Sequence, residues 1–219
     1  MDRLYDIERR FEYENGFYAT ADPSRFSKFI SHLEFFKQTS NIRGEIMEFG
    51  IFKGNSFFRW IKFRDLLEQT QSRKIIGFDI FGDFPEANYE GDKLKRDAFV
   101  KETAGGKSIS EEELRRLLHE QGLDKNVEII PGDILKTLDE YLESNPHLKI
   151  SLLHIDVDLY EPTKVVLEKL YDKVTKGGII IFDDYGAFAG ANKAVDDFFK
   201  GSREIQKLPF SNAISYIKK

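Results

Sequence analysis

Cysteine is absent from the 219-residue chain, which excludes disulfide scaffolds, zinc–thiolate sites, iron–sulfur clusters and cysteine nucleophiles. Proline is sparse, at six residues. No Pro- or Ser-rich linker, internal repeat or low-complexity tract interrupts the chain, so a single domain over residues 1–219 is expected. No apolar run approaches the ~18 residues of a membrane helix, and Met1 to Asp6 lacks the apolar stretch of a secretory leader. A cytoplasmic protein without membrane contact is expected. Positive charge is not in excess either. The 33 Lys and Arg stand against 38 Asp and Glu, a net charge of −5, and this argues against nucleic acid as a partner, because neutralising phosphates needs a basic surface. Aromatic residues are abundant instead: 20 Phe bring the aromatic share to 14%. Some belong to a core, and the others are candidates for lining a ligand cleft.

The first clear helix signal is Asp22-Pro23, an N-cap followed by proline at the first helical position. Phe26, Phe29, Ile30, Leu33 and Phe36 follow at helical spacing and predict a core-facing helix within an N-terminal helical segment, residues 1–43. Strand and helix patterns then alternate. Strands are expected at 45–50, 74–79, 127–130, 150–156 and 178–183, with helices at 57–67, 135–143, 163–174 and 193–199. Nearly continuous apolar strands between helices mean a parallel sheet covered on both faces. Two short β-like runs, 204–208 and 213–217, predict a terminal hairpin with one antiparallel strand. The expectation is a Rossmann-like, doubly wound, mostly parallel α/β domain. A charged, helix-prone insertion over 81–126 separates the second and third strands, with a capping box at Ser110 and Glu113. It is read either as a lid over a ligand or as a decorated surface crossover.

Ligands of open α/β sheets bind outside the carboxyl ends of the strands. The first strand ends Glu48-Phe49-Gly50-Ile51-Phe52-Lys53-Gly54-Asn55-Ser56. Its glycines allow a tight turn, and the next helix offers free N–H groups to an anion. The Gly-x-x-x-Gly spacing matches neither a dinucleotide fingerprint nor a P-loop, so a carboxylate is the better-sized anion. Asp79 closes the second strand, where an acid suits ribose hydroxyls. Asp133 and Ile134 follow the third, where they could hold an adenine or simply cap a helix. Asp156 and Asp158 close the fourth strand, and Asp183 and Asp184 the fifth. These strands are expected to be neighbours about 5 Å apart. So many carboxylates on one rim repel unless a cation or protons relieve them, and a hard divalent ion is the natural occupant. Of the histidines, His154 is read as a core residue ahead of a catalytic base, and His32, His119 and His147 as surface residues.

The residues just quoted resemble those of class I S-adenosylmethionine-dependent methyltransferases, and more narrowly the macrocin O-methyltransferase (TylF-type) family. The resemblance runs through Glu48 to Gly54 and Asp79-Ile80-Phe81-Gly82-Asp83-Phe84-Pro85. It continues through Leu153-His154-Ile155-Asp156-Val157-Asp158-Leu159-Tyr160-Glu161-Pro162-Thr163, Gly177-Gly178, Asp183-Asp184-Tyr185-Gly186 and Ala194-Val195-Asp196-Asp197-Phe198. It implies a seven-stranded sheet and methyl transfer from S-adenosylmethionine to a hydroxyl of a small molecule, a sugar or glycosylated product, assisted by Mg²⁺. By position, Asp156, Asp183 and Asp184 would hold the metal, and Asp156 would also be the nearest proton acceptor. The glycine loop, with Glu48, Gly50, Phe52, Gly54 and Ser56, would hold the methionine part of the donor. Asp79 would meet the ribose and Asp133 with Ile134 the adenine, and Phe81 would be a further cofactor-binding residue. Gly82-Asp83-Phe84 departs from the family's x-Gly-x before the proline. An NAD(P)-dependent oxidoreductase and a non-catalytic adenosyl-binding protein are the alternatives, and a homo-oligomer is left open.

Overall fold

The computed structural model describes residues 4–102 and 107–219. Its elements are α1 (Arg10–Thr20), α2 (Pro23–Thr39), β1 (Glu45–Phe49), α3 (Asn55–Leu67), β2 (Ile75–Asp79), α4 (Glu90–Glu102), α5 (Glu111–Glu120), β3 (Val127–Pro131), α6 (Ile134–Ser144), β4 (Ile150–Ile155), α7 (Tyr160–Leu170), β5 (Val174–Phe182), α8 (Ala189–Phe199), β6 (Gln206–Lys207) and β7 (Ser215–Lys218). The strands form one sheet in the order β3-β2-β1-β4-β5-β7-β6. Pairing is parallel from β3 to β5 and antiparallel from β5 through β7 to β6. The expected seven-stranded, mostly parallel arrangement with its terminal hairpin is therefore observed. Chain direction across the sheet reverses between β1 and β4, and ligand crevices open at such switch points. None of the described helices is long and apolar enough to cross a membrane.

Alternate residues of each strand serve opposite faces of the sheet. Ile46, Ile75, Leu152, Ile179 and Ile181 pack on one side with Phe35 and Phe36 of α2 and Trp60 of α3. Met47, Ile76, Leu153 and Ile180 pack on the other side with Leu138 of α6, Val166 of α7 and Val195 of α8. Asp22 caps α2 by accepting the Ser24 N–H at 2.8 Å, and Pro23 takes the first helical position.

Three sequence expectations change here. Phe29 and Ile30 are 40% and 43% exposed rather than core-facing. Every buried residue of α2 lies at Ser31 or beyond, so only its C-terminal half rests on the sheet and its first turns overhang the strand ends. His32 is fully buried, not on the surface. A further helix, α1, precedes α2 and buries no side chain, which is why apolar periodicity did not reveal it.

The insertion holds the two helices α4 and α5, and its residues 103–106 lie outside the described residues. α4 is fastened to the domain by Asp92, a fully buried carboxylate. Asp92 accepts the Gly190 N–H at 2.6 Å and the Tyr160 N–H at 3.1 Å, at the starts of α8 and α7. Both bonds place a negative charge where helix N-termini favour one.

Candidate functional site

A cleft of about 640 Å³ opens along the carboxyl ends of β1, β2, β3, β4 and β5. The turn after β1 forms its floor. Gly50 sits at φ +92°, and a Cβ there would lie 1.7 Å from the Asp156 carbonyl oxygen, so the β1 and β4 backbones meet closely only because this residue is glycine. Gly54, at φ +86°, precedes α3, and no side chain caps that helix. Its first N–H groups are therefore placed to receive an anion.

Asp79 is more occupied than its sequence position suggests. Its Oδ2 accepts the Phe52 N–H at 2.8 Å, and its Oδ1 accepts the Phe81 N–H at 2.7 Å and the Ser108 hydroxyl at 2.6 Å. It thus holds two residues at positive φ, Phe52 at +50° and Phe81 at +51°, on either side of the turn. A carboxylate offers about four lone-pair sites, and one remains for a ligand hydroxyl. Asp133 caps α6 by accepting the Leu135 N–H at 3.0 Å, and it also lines the cleft with Ile134.

The opposite wall is acidic. Asp156, Asp183 and Asp184 each offer an oxygen, and these lie within 4.8 Å of one another. Asp158 adjoins them at φ +61°, its N–H donating to Asp184 Oδ2 at 2.8 Å. Burial and then Asp183 push the Asp156 carboxyl well above its usual range, and burial and then Asp158 do the same to Asp184. Burial, reinforced by Asp156, lifts Asp158 to about 7. Asp183 moves the other way: burial opposes its charge, but the Lys28 ammonium and His154 hold it below the carboxylate range. Lys28 of α2 forms an ion pair with Asp183 Oδ2. Its own pKa is raised because Asp183 and Asp156 outweigh the burial penalty. Carboxylates pressed together in this way, Asp183 and Asp184 buried and Asp156 half-buried, form a donor set that fits a hard divalent cation.

Aromatic side chains close the cleft beside the insertion. Phe99 of α4 lies 5.8 Å from Phe52, 5.3 Å from Phe84 and 6.4 Å from Phe188, between ring centroids.

The structure thus brings Gly50, Phe52, Ser56, Asp79, Asp133, Ile134, Asp156, Asp183 and Asp184 into the cleft wall. Glu48, Gly54 and Phe81 are not among the lining residues. Glu48 is fully buried, and Phe81 packs against the core. Phe49, although it stands at a strand end, stacks on Phe78 at 4.7 Å on the far face of the sheet. Sequence reasoning missed Lys28, Arg25, Arg59, Phe99 and Phe188, all of which line the cleft. The (i, i+3) spacing of Arg25 and Lys28 put them on one side of α2, but nothing local tied that side to Asp183, 155 positions away.

A family model described as macrocin-O-methyltransferase (TylF) matches residues 23–212. The chain is 30% identical over 162 residues to demethyldecarbamoylnovobiocin O-methyltransferase of Streptomyces niveus, a match covering 73% of this chain and 59% of that protein. It is 28% identical over 177 residues to 8-demethyl-8-(2,3-dimethoxy-alpha-L-rhamnosyl)-tetracenomycin-C 4'-O-methyltransferase of Streptomyces olivaceus, covering 78% of this chain and 65% of that one. The chain therefore spans less than two thirds of either curated relative. Among solved structures it is similar to apo CalS11, described as a TDP-rhamnose 3'-O-methyltransferase of calicheamicin biosynthesis, with a TM-score of 0.70, 25% identity, and coverage of 99% of this chain and 88% of that one.

Proposed function

We propose a function from one premise: the chain belongs to the macrocin-O-methyltransferase (TylF) family. It transfers a methyl group from S-adenosylmethionine to a hydroxyl, and the acceptor is a sugar or a glycosylated small molecule. The observation that carries this reading is a single cleft with two chemically different walls. One is a glycine turn and an uncapped helix N-terminus, suited to the donor's carboxylate. The other is the carboxylate rim of Asp156, Asp158, Asp183 and Asp184. The names of one curated relative and one solved structure, which carry rhamnosyl and TDP-rhamnose, support a sugar acceptor.

S-adenosylmethionine supplies an electrophilic methyl group on a sulfonium. A hard divalent cation, Mg²⁺ for instance, would be held by Asp156, Asp183 and Asp184 and would supply the Lewis acidity that lowers the pKa of an acceptor hydroxyl. The chain's own work is positioning, since an in-line displacement gains most from orientation. Gly50 lets the donor approach the backbone, Asp79 keeps the turn in place and offers one oxygen to a ribose hydroxyl, and Asp133 with Ile134 borders the adenine. Asp156 and Asp158 are the carboxylates available to take the hydroxyl proton. Asp158 lines the cleft at the end of the rim, where a proton acceptor leaves Asp156, Asp183 and Asp184 free for the cation. Phe52, Phe84, Phe99 and Phe188 shield the reacting centre from water, and the insertion over 81–126 acts as the cover, with Asp92 as its fastening.

Calorimetry with S-adenosylhomocysteine and with NADH, each with and without Mg²⁺, tests the reading. The expected result is binding of S-adenosylhomocysteine and none of NADH, followed by methyl transfer in a screen of sugars and glycosides. NADH binding without S-adenosylhomocysteine binding would favour an oxidoreductase instead.

A further inference from the structure

A glutamate and a histidine lie beneath the carboxylate rim, outside the cleft. Glu48 and His154 are register partners across the β1–β4 ladder, and both are fully buried. Two residues earlier on the same strands and the same face stand Ile46 and Leu152. Aliphatic side chains evidently fit this layer, so packing alone does not call for a polar pair. The pair also has few partners. His154 Nδ1 and Glu48 Oε2 make no hydrogen bond, and they lie 3.8 Å apart. Burying polar atoms without hydrogen-bond partners is costly, so their presence here calls for an explanation.

Their surroundings fix that geometry. The His154 ring meets Trp60 edge-on at 5.7 Å and His32 edge-on at 5.1 Å, while His32 stacks on Trp60 at 4.6 Å. With the ring held, its nitrogens point in two directions. Nε2 reaches Asp183 Oδ1 at 3.4 Å, and Nδ1 faces Glu48. The other oxygen of Glu48 accepts the Ser56 hydroxyl at 2.6 Å, in the first turn of α3. The two oxygens of Asp183 are thereby divided: Oδ1 faces His154 and Oδ2 faces Lys28. A line of side chains, Ser56–Glu48–His154–Asp183, runs under the cleft from the donor wall to the rim.

We propose that Glu48 and His154 are positioning residues for the carboxylate rim. His154 fixes the rotation of the Asp183 carboxylate, and Glu48, anchored by Ser56, fixes the ring nitrogen that His154 presents. The inference rests on the reading of Asp183 as a cation ligand and deepens it, because partners behind ligating groups set their orientation and commonly change metal affinity by about 10–100-fold when removed. It also gives Glu48 a role different from the donor contact that its place in the glycine loop suggests.

The test is Mn²⁺ binding followed by electron paramagnetic resonance on the full chain and on Glu48→Gln, His154→Gln and the double variant, each checked for folding by circular dichroism. S-adenosylhomocysteine affinity is measured alongside. The expected result is Mn²⁺ affinity about 10–100-fold weaker in each single variant, a double variant no worse than the weaker single one, and S-adenosylhomocysteine affinity changed less than about threefold. Partial recovery in Glu48→Asp would add support, and folded variants with unchanged Mn²⁺ affinity overturn the inference. If the unmodified chain takes no Mn²⁺, the metal reading of the rim falls by itself. The inference is then decided by the imidazole nitrogen resonances of His154 in ¹⁵N-labelled protein, as it is if the Gln variants do not fold. Asp183→Asn moves those resonances if the contact orients the carboxylate, and unmoved resonances overturn it.

Discussion

Lys28 and Asp183 form an ion pair at the mouth of the cleft, joining the overhanging first half of α2 to the end of β5. The lysine stands where a divalent ion would also be drawn, and it is the charged group through which the N-terminal segment reaches the rim. Lys28→Met therefore removes a like charge next to the carboxylates proposed to hold the cation. Mn²⁺ affinity should rise on the order of tenfold, the effect of one unit charge at contact distance in a partly screened site. Titration calorimetry checks this, and a weaker affinity would show that Lys28 builds the site rather than competing for it.

Asp183→Asn removes the charge of the rim's most acidic carboxyl, the one that Lys28 and His154 keep ionised. Metal-dependent methyl transfer should fall by at least about 100-fold, as expected for a lost ligand. S-adenosylhomocysteine affinity should hardly change, since the donor wall lies across the cleft. Full activity of the unmodified protein in excess chelator would remove the metal from the mechanism.

Gly50→Ala places a methyl group against the Asp156 carbonyl, with the Cβ 1.7 Å from the oxygen, at a φ of +92°. Backbone on both sides has to move. The cost should exceed about 2 kcal/mol in a denaturant melt, in the range of strained left-handed positions combined with overpacking. Donor affinity should fall with it, because the turn and the rim are displaced together.

Asp92→Ala takes away two buried bonds that tie α4 to the starts of α7 and α8. Charge-assisted bonds of this kind contribute about 1.5–3 kcal/mol each, and the cavity left beside Gly190 adds to the loss. Limited proteolysis should find faster cleavage within residues 81–126, and the melting temperature should fall by several degrees. Cleavage at the original rate would mean that the aromatic contacts of Phe99 and the hydrogen bond from Lys95 to the Ala187 carbonyl hold α4 without Asp92.

Much of this protein was legible without coordinates, for physical reasons. The alternation of apolar strands with helices points to a covered parallel sheet, because helices on both faces bury runs such as residues 150–155 and 179–182. Clefts of such sheets open at the carboxyl ends of the strands, so Asp79, Asp133, Asp156, Asp183 and Asp184 could be placed at this one from their positions alone. What stayed hidden were partners brought together by helix packing rather than by neighbouring strands. His32 read as a surface residue because nothing near it in sequence is Trp60 or His154. Phe49 and Glu48 sit side by side at the end of β1, yet one belongs to the far core and the other to a buried pair, since neighbours on a strand face opposite ways.

The sequence by itself determined the sheet, its order of elements and the acidic rim at its edge, because periodicity and strand termini are local properties. Tertiary structure alone decided the company the rim keeps. Lys28 arrives from an overhanging helix, His154 from below and Phe99 from the insertion. The Lys28 and Phe99 contacts depend on how helices lie over a twisted sheet, which no local pattern encodes, and the His154 contact depends on the register of β4 against β5. The net charge of −5 showed in the sequence as a slight acidic excess; the fold gathers part of it into one buried cluster and sets a lysine against it.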